Sequence, residues 1–519
     1  MIFRSPYPPV EIPELSFSEF VFAEVARWHD RAAFIDGLTG RTFSHGEMHR
    51  AARNVAAALV QRGMRKGEVF AIVCPNLPEY GIAFHGAAMA GGVVTTANPL
   101  ATVDELRGQL NDSRAKFVLT AAALVPKARE AATGTAVEEI FVLGESDAGT
   151  SFAGLMAKDA DPPRIPIDPR GDLLMLPYSS GTTGRAKGVM LSHHNAVAML
   201  AQLESLAPDV SGRISLAVLP FFHAYGLQIL LNGTLRRGTT CVTMPRFDLP
   251  QFLQLIQEWR ITSLALVPPI VLALARHPLV DRFDLSSLSL VGSGAAPLGP
   301  ALQEEASRRL RVPVRQGYGL TEVVVAVTGL PLENPVVKPG SVGPLLPNIE
   351  ARIVDVESGA DLGHDEHGEL LVRGPNVMRG YLNRPAESQA MVQADGWMRT
   401  GDVGYFDSDG HLYIVDRLKE LIKYKGYQVA PAQLEAVLLE HPAIADAAVI
   451  GIADEEAGEI PKAFVVRRSA ATADEIVAWV AAKVAPHARV RIVEFIDAIP
   501  KSPSGKILRR ELRERGGPR

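Results

Sequence analysis

Short apolar runs recur along the chain, each followed by a turn of Gly, Ser or Pro and then by a segment with helical spacing. "SLALVP" (263–268) runs into "PIVLALARH", "SLSLVGSGAAPLG" (287–299) into "PALQEEASRRL", and "LLMLPYSSGTTGRAKGVML" (173–191) into "SHHNAVAMLAQL". In the last case Ser192 is placed to cap a helix whose Val197, Leu200 and Ala201 share one face. Repeated strand–turn–helix units predict mostly parallel sheets covered by helices, with the glycine turns at the carboxyl ends of strands, where open α/β sheets bind ligands.

From about Val336 the pattern changes. "GSVGPLLPNIEARIVD", "GELLVRG" and "GHLYIVDRLKELIKYKGYQV" are alternating or β-branched runs separated by Gly and Asp, which predicts antiparallel strands and hairpins. The boundary is expected near Asp416, with residues 1–415 as a large unit, 416–419 as a connector and 420–519 as a charged α+β unit. The fold class predicted is α/β, with a β-rich subdomain in the large unit. The apolar stretch Ile261–Ala275 is short and contains Pro268 and Pro269, so it reads as core and not as a membrane span.

Composition narrows the function classes. The 519 residues exceed one ordinary core, and a formal charge of −5 with 21% charged residues gives no electrostatic reason to expect nucleic acid as a partner. Cys74 and Cys241 have no metal-ligand spacing and no disulfide pattern, which fits a reducing cytoplasm. The beginning "MIFRSPYPPVEIPEL" lacks the apolar run of a signal peptide, and "GGPR" is not a peroxisomal address. His193 and His194 read as first-turn helix residues and not as metal ligands. Oligomeric state leaves no mark in the sequence.

The densest chemistry lies in "YSSGTTGRAKG", Tyr178–Gly188. Ser179, Ser180, Thr182 and Thr183 offer hydroxyls, Gly181 and Gly184 let backbone N–H groups converge, and Lys187 adds a mobile charge, a combination suited to phosphate oxygens. A P-loop would place Gly before the lysine and Ser or Thr after it. Here Ala186 and Gly188 stand there, so the loop suits a nucleotide in another manner.

Together with "QGYGLTE" (316–322), "DGWMRTGDVGYFDSDGHLYIVDRLKELIKYKGYQVAP" (395–431) and "PKSPSGKILRR" (500–510), this loop resembles the adenylate-forming acyl-CoA synthetases in order and spacing. "LPFFHAYGL" (219–227) and "VPPIVLALARHP" (267–278) make the chain most similar to the bacterial 4-coumarate:CoA ligases. The resemblance implies an acyl-adenylate made from a carboxylate and MgATP, followed by transfer to the thiol of CoA. It implies that Lys506 drives adenylation, where two anions must be brought together. The loop Ser179–Lys187 would hold the outer phosphates, Thr321 the α-phosphate, and Glu322 the Mg2+, with Gln316, Gly317 and Tyr318 of the same motif beside the nucleotide. Asp402 would accept the ribose hydroxyls, with Arg417 beside it.

For the second half-reaction the resemblance implies rotation of the C-terminal unit about Lys419. Lys423 and Gln428 would then contact the adenylate in one state or the other, Lys425 and Gly426 would approach CoA, and Arg246 would meet a CoA phosphate. His223 is expected to gate the acyl site, and neither cysteine is needed. Matching positions place Ala224, Tyr225, Ile229, Gly294, Gly317, Gly319, Val325 and Ala326 around the acyl group, a small-residue set that favours an aryl acid. The chain departs from the plant-type pattern in "TEVVVAVTG" (321–329), where Pro is usual near Val325, at Gly294, where Ala is frequent, at Ala186, where Pro is common, and in "PHARVR" (486–491), which lacks the usual Tyr-Lys. Cinnamate, ferulate and medium-chain fatty acids therefore stay open beside 4-coumarate. A fatty-acid ligase, a luciferase-like oxygenase, an enzyme loading a carrier protein and a non-catalytic nucleotide-binding protein are the alternatives.

Overall fold

The computed structural model describes residues 1–179, 186–210, 212–333, 336–503 and 505–516. Two largely parallel sheets form the body of the large unit. One has nine strands, with Val69–Val73 at its middle between Val93–Thr96 and Ala115–Ala121. The other has seven and runs Val314–Gln316, Leu290–Ser293, Ser263–Leu266, Ile214–Ala217, Thr240–Thr243, Ala32–Asp36 and Thr42–Ser44, parallel except for the last pair.

The predicted strand–turn–helix units are present. Strand Ser263–Leu266 leads into helix Pro268–Arg276, and Leu290–Ser293 into Pro300–Leu310, each helix opening on a proline whose missing N–H costs nothing at that position. Ser192 caps helix His193–Ser205, accepting from the Asn195 N–H while the Asn195 side chain accepts from the Ser192 N–H.

One unit departs from expectation. Lys187–Ser192 runs antiparallel to both Leu173–Met175 and Tyr178–Ser179, where the repeated strand–turn–helix units predict parallel neighbours. The reason is local: only a few residues separate Ser179 from Lys187, far fewer than a parallel crossover needs.

Past residue 336 the expected antiparallel texture appears. Glu350–Val354, Gly368–Arg373, Met398–Phe406 and Leu412–Arg417 form an antiparallel sheet with the N-terminal Phe3–Arg4 on its edge. A fourth sheet lies wholly beyond residue 421, and its hairpin Ile422–Tyr424 and Tyr427–Val429 closes on Lys425 and Gly426, with φ of 47° and 83°. Two consecutive residues at positive φ match the twist of the strands they join, and Gly takes one of them without strain. Its own small core forms around Ile422, Leu434, Val449, Val465 and Ile476. No helix among the described residues is long and apolar enough to cross a membrane.

The two parallel sheets are tied together next to the cavity by Asn76, which follows the strand Val69–Val73. Its buried amide donates to the carbonyls of Ala217 and Leu219 at 2.9 and 2.8 Å and accepts from the Phe221 N–H at 2.7 Å. Replacement Asn76→Ala removes all three of these hydrogen bonds, leaving the Ala217 carbonyl only its 3.4 Å contact with the Met244 N–H, and should destabilise the large unit by about 2–4 kcal/mol. The check is thermal unfolding of the full chain, in which the first transition is expected to fall by several degrees.

Candidate active site

A cavity of about 2240 Å³ opens where the two parallel sheets, the antiparallel sheet and the segment 501–508 meet. Ser180, Gly181, Thr182, Thr183 and Gly184, expected to hold phosphates, lie outside the described residues. Their flanks are placed: Tyr178, Ser179 and Lys187 all line the cavity. The Tyr178 hydroxyl donates to the Asp112 carboxylate at 2.8 Å, which fixes the strand on which the loop begins.

Lys187, at the other flank, forms an ion pair with Glu387 and lies over the Tyr381 ring, 5.0 Å from its centre. The Tyr381 hydroxyl in turn donates to Glu322 at 2.9 Å. Glu322 is buried on the cavity wall with one carboxylate oxygen held by that tyrosine. Among the described residues no cluster of three or more His, Cys, Asp or Glu side chains is arranged to hold a metal ion. A single carboxylate facing phosphate groups suits Mg2+, which takes most of its oxygen ligands from water and substrate. Tyr381 and Glu387 escaped sequence reading, since only the folded hairpin brings residues 187 and 322 to the same helix-turn segment.

Asp402 and Arg417 pair directly across two antiparallel strands; Arg417 lines the cavity, and Asp402 is buried. The Asp402 carboxylate lies 3.3 Å from the Arg417 guanidinium and accepts the Tyr318 hydroxyl at 2.5 Å. Burial pushes the Asp402 carboxyl above its ordinary range, with Arg417 and Tyr318 opposing, and the same burial raises Tyr318. A constrained carboxylate of this kind is a strong acceptor for paired hydroxyls.

Lys506 enters the cavity from the far end of the chain. Its loop is tight: the Ser502 N–H donates to the Lys506 carbonyl at 2.8 Å and the Lys506 N–H to the Ser502 hydroxyl at 3.1 Å. Buried Arg509 anchors the loop by donating to Glu435 at 2.7 Å. Burial, reinforced by Arg417, brings the Lys506 ammonium down to about 8, against the pull of Asp402 and Glu420. His223 is pushed down to about 4 by burial and by Lys506, so its imidazole is neutral at physiological pH. Its Nδ1 accepts from the Tyr225 N–H at 3.3 Å.

Below Lys506 the cavity floor is made of small residues. A Cβ on Gly294 would lie 3.1 Å from the Tyr225 ring, and one on Gly319 would lie 1.8 Å from the Val325 carbonyl oxygen. The Tyr225 hydroxyl makes no hydrogen bond among the described residues. Ala224, Ile229, Gly317, Val325 and Ala326 complete this wall. Val324, buried and β-branched, sits at φ 68° and ψ −56° in a tight turn, with the Val325 N–H donating to the Val323 carbonyl at 2.8 Å. That conformation costs on the order of 1–3 kcal/mol and persists because neighbours hold it. Buried Asn376 does so, donating to the carbonyls of Val323 and Ala326 at 3.0 Å each.

Gln316 and Thr321 also line the cavity, and Lys419 stands at its rim, exposed. Lys423, Lys425, Gly426 and Gln428 do not line it; they lie exposed on the hairpin of the fourth sheet. Arg246 is exposed as well, away from the cavity. Sequence position alone places these five residues near the chemistry, and the arrangement seen here does not bring them there.

The profile of the AMP-binding enzyme family matches residues 21–382, and that of the AMP-binding enzyme C-terminal domain matches residues 433–506. The chain is 42% identical to 4-coumarate–CoA ligase 1 of Petroselinum crispum, over 99% of this chain and 97% of the relative. It is 44% identical to 4-coumarate–CoA ligase 5 of Oryza sativa subsp. japonica with the same coverage. Among solved structures, the anthranilate CoA ligase AuaEII in complex with anthranoyl-AMP superposes with a TM-score of 0.90 at 25% identity, over 97% of this chain and 98% of that one. A large cavity lined by a lysine from the C-terminal unit, and a match that runs through both units, carry one conclusion: this chain belongs to the AMP-binding enzyme family.

Proposed function

We propose that this acyl-CoA ligase activates a hydroxycinnamate, or a closely related planar aryl acid, as its adenylate and passes the acyl group to CoA. The observation that carries the reading is the convergence of Lys506, Arg417 with its buried partner Asp402, and the small-residue floor under Tyr225 on one cavity, which Lys506 and Arg417 line. The relatives named as 4-coumarate–CoA ligases support the acid class.

In the first half-reaction a carboxylate oxygen of the acid attacks the α-phosphorus of ATP, and the bond to pyrophosphate breaks with its electron pair leaving on pyrophosphate. No proton needs to move. What opposes the step is repulsion between two anions, and a desolvated ammonium between them lowers that barrier more than it would in water. Lys506 supplies this charge, Asp402 holds the ribose hydroxyls, and Lys187 meets the outer phosphates on exchanging its Glu387 partner for them. Glu322 would hold Mg2+, which when bound would neutralise phosphate charge. The flat acid lies on Gly294 and Gly317 with its ring against Tyr225.

In the second half-reaction the CoA thiol replaces AMP at the acyl carbon, and Lys506 stands where the thiol must approach. We propose that the C-terminal unit turns about Lys419, within 416–419 between units 1–415 and 420–519, and exchanges Lys506 for the exposed Lys423, Lys425, Gly426 and Gln428. Arg246, exposed on the large unit, would then meet a CoA phosphate.

Purified protein, MgATP and a panel from benzoate through cinnamates to fatty acids test the acid, with pyrophosphate and acyl-CoA followed separately. The highest kcat/KM is expected with a hydroxycinnamate, and a fatty-acid optimum would overturn this choice. Because Lys506 is charged only below its depressed value of about 8, kcat/KM for adenylation should fall as pH rises through that value. Lys506→Arg should lack this alkaline limb, and Lys506→Ala should lose roughly 100- to 1000-fold in pyrophosphate release. Lys423→Ala should slow thioester formation from preformed adenylate more than it slows adenylation. Equal losses in the two half-reactions would count against domain rotation.

A further inference from the structure

Beyond the acyl compartment the cavity continues along one face of the seven-stranded parallel sheet, toward the amino ends of its strands. Leu290, Gly292 and Gly294 alternate onto this face, and the register sets Gly292 between Ala265 and Arg315. One row deeper Leu290 pairs with Ser263, and Ser263 with Ser215. The floor from Gly294 to Leu290 is about 13 Å long at roughly 3.3 Å per residue. Arg213, two residues before Ser215, lines the cavity deeper still.

Arg213, Arg237 and Arg315 line the cavity at this inner end, as does Arg236. Arg237 donates to the Ala207 carbonyl, and Arg315 donates to the carbonyls of Pro331 and Leu332 at 2.5 and 3.0 Å. The Leu332 N–H donates to the Leu206 carbonyl at 3.1 Å, which brings the two contact sets together. Arg213 is close enough to act on both: burial is the larger cause, and the Arg213 charge adds to it in bringing Arg237 down to about 10, against the pull of Glu204, and in lowering Arg315, against Tyr7. Glu204 is already occupied by Arg236 at 3.0 Å. Among the described residues no carboxylate forms an ion pair with Arg213 or Arg237. The carbonyl contacts of Arg237 and Arg315 tie a helix end to segment 331–332, but the Arg213 guanidinium ties nothing among those residues.

Like charges gathered on a partly desolvated wall repel one another, and an anion placed among them relieves that cost. We propose that this inner end is a subsite for a second anionic group, a carboxylate on the distal end of the acid. The proposal rests on the ligase reaction above and specifies the class of acid: the reacting carboxylate lies at Lys506, the body of the acid on the glycine floor, and the distal carboxylate at Arg213, flanked by Arg237 and Arg315. A simple hydroxycinnamate fills only the outer part of this path.

The test uses the wild-type full chain, with pyrophosphate release as readout. The probes are 4-(ω-carboxyalkoxy)cinnamates with two to six methylene groups, each compared with the 4-alkoxycinnamate of equal length, and 4-coumarate itself. At the best length the carboxylate-ended acid is expected to exceed its methyl-ended partner at least tenfold in kcat/KM. Arg213→Gln should shrink that ratio at least fivefold, and Arg213→Glu should transfer the preference to the ω-amino analogue. A ratio at or below one at every length in the wild type overturns the subsite, and so does a high ratio unmoved in both Arg213→Gln and Arg237→Gln. If 4-coumarate and all its derivatives release no pyrophosphate, the adenylation reading fails and the subsite with it. If 4-coumarate reacts but the distal carboxylate brings no gain, the subsite alone fails.

Discussion

The ammonium of Lys506 has to remain charged inside a cavity that penalises charge, and most of the surrounding architecture bears on that constraint. Burial and Arg417 bring it down to about 8, while Asp402 and Glu420 pull the other way. The balance leaves the group protonated near neutrality yet poorly solvated, the condition under which its field acts most strongly on an anion. Maintaining it requires a fixed position, which the buried Arg509–Glu435 pair and the Ser502–Lys506 loop provide. It also requires carboxylates that are themselves held, as Asp402 is by Tyr318 and Arg417.

A second constraint is space. The floor beneath Tyr225 tolerates no side chain larger than hydrogen at Gly319, where the Val325 carbonyl approaches closely. That approach depends on the strained Val324 turn, which Asn376 clamps through two carbonyls. Strain, clamp and glycine are therefore one device: Asn376 keeps Val324 in an unfavourable conformation so that Val325 and Ala326 form a smooth wall close to Glu322. The phosphate end shows the same economy, with Lys187, Tyr381 and Glu322 linked through one ring and one hydroxyl.

Much of this was legible in the linear chain. The strand–turn–helix periodicity gives the parallel sheets, and the antiparallel texture after residue 336 is where the alternation and turn residues place it. Motif residues from Gln316 to Glu322, with Arg417 and Lys506, come together although nearly two hundred residues separate the first from the last. The antiparallel pairing of Lys187–Ser192 was not legible there, because periodicity reports that a strand exists but not which neighbour it pairs with or in which direction.

By itself the sequence determined the element types and the chemical groups at hand, since local periodicity, capping residues and turn glycines act over a few residues. Tertiary structure alone decided which groups became neighbours. Glu387 beside Lys187, Asn376 beneath Val324, and Arg213, Arg237 and Arg315 on one inner wall have no signature in their own segments. Their contacts join strands and helices distant in the chain, and the desolvation that tunes Lys506 and His223 exists only once those elements close over them.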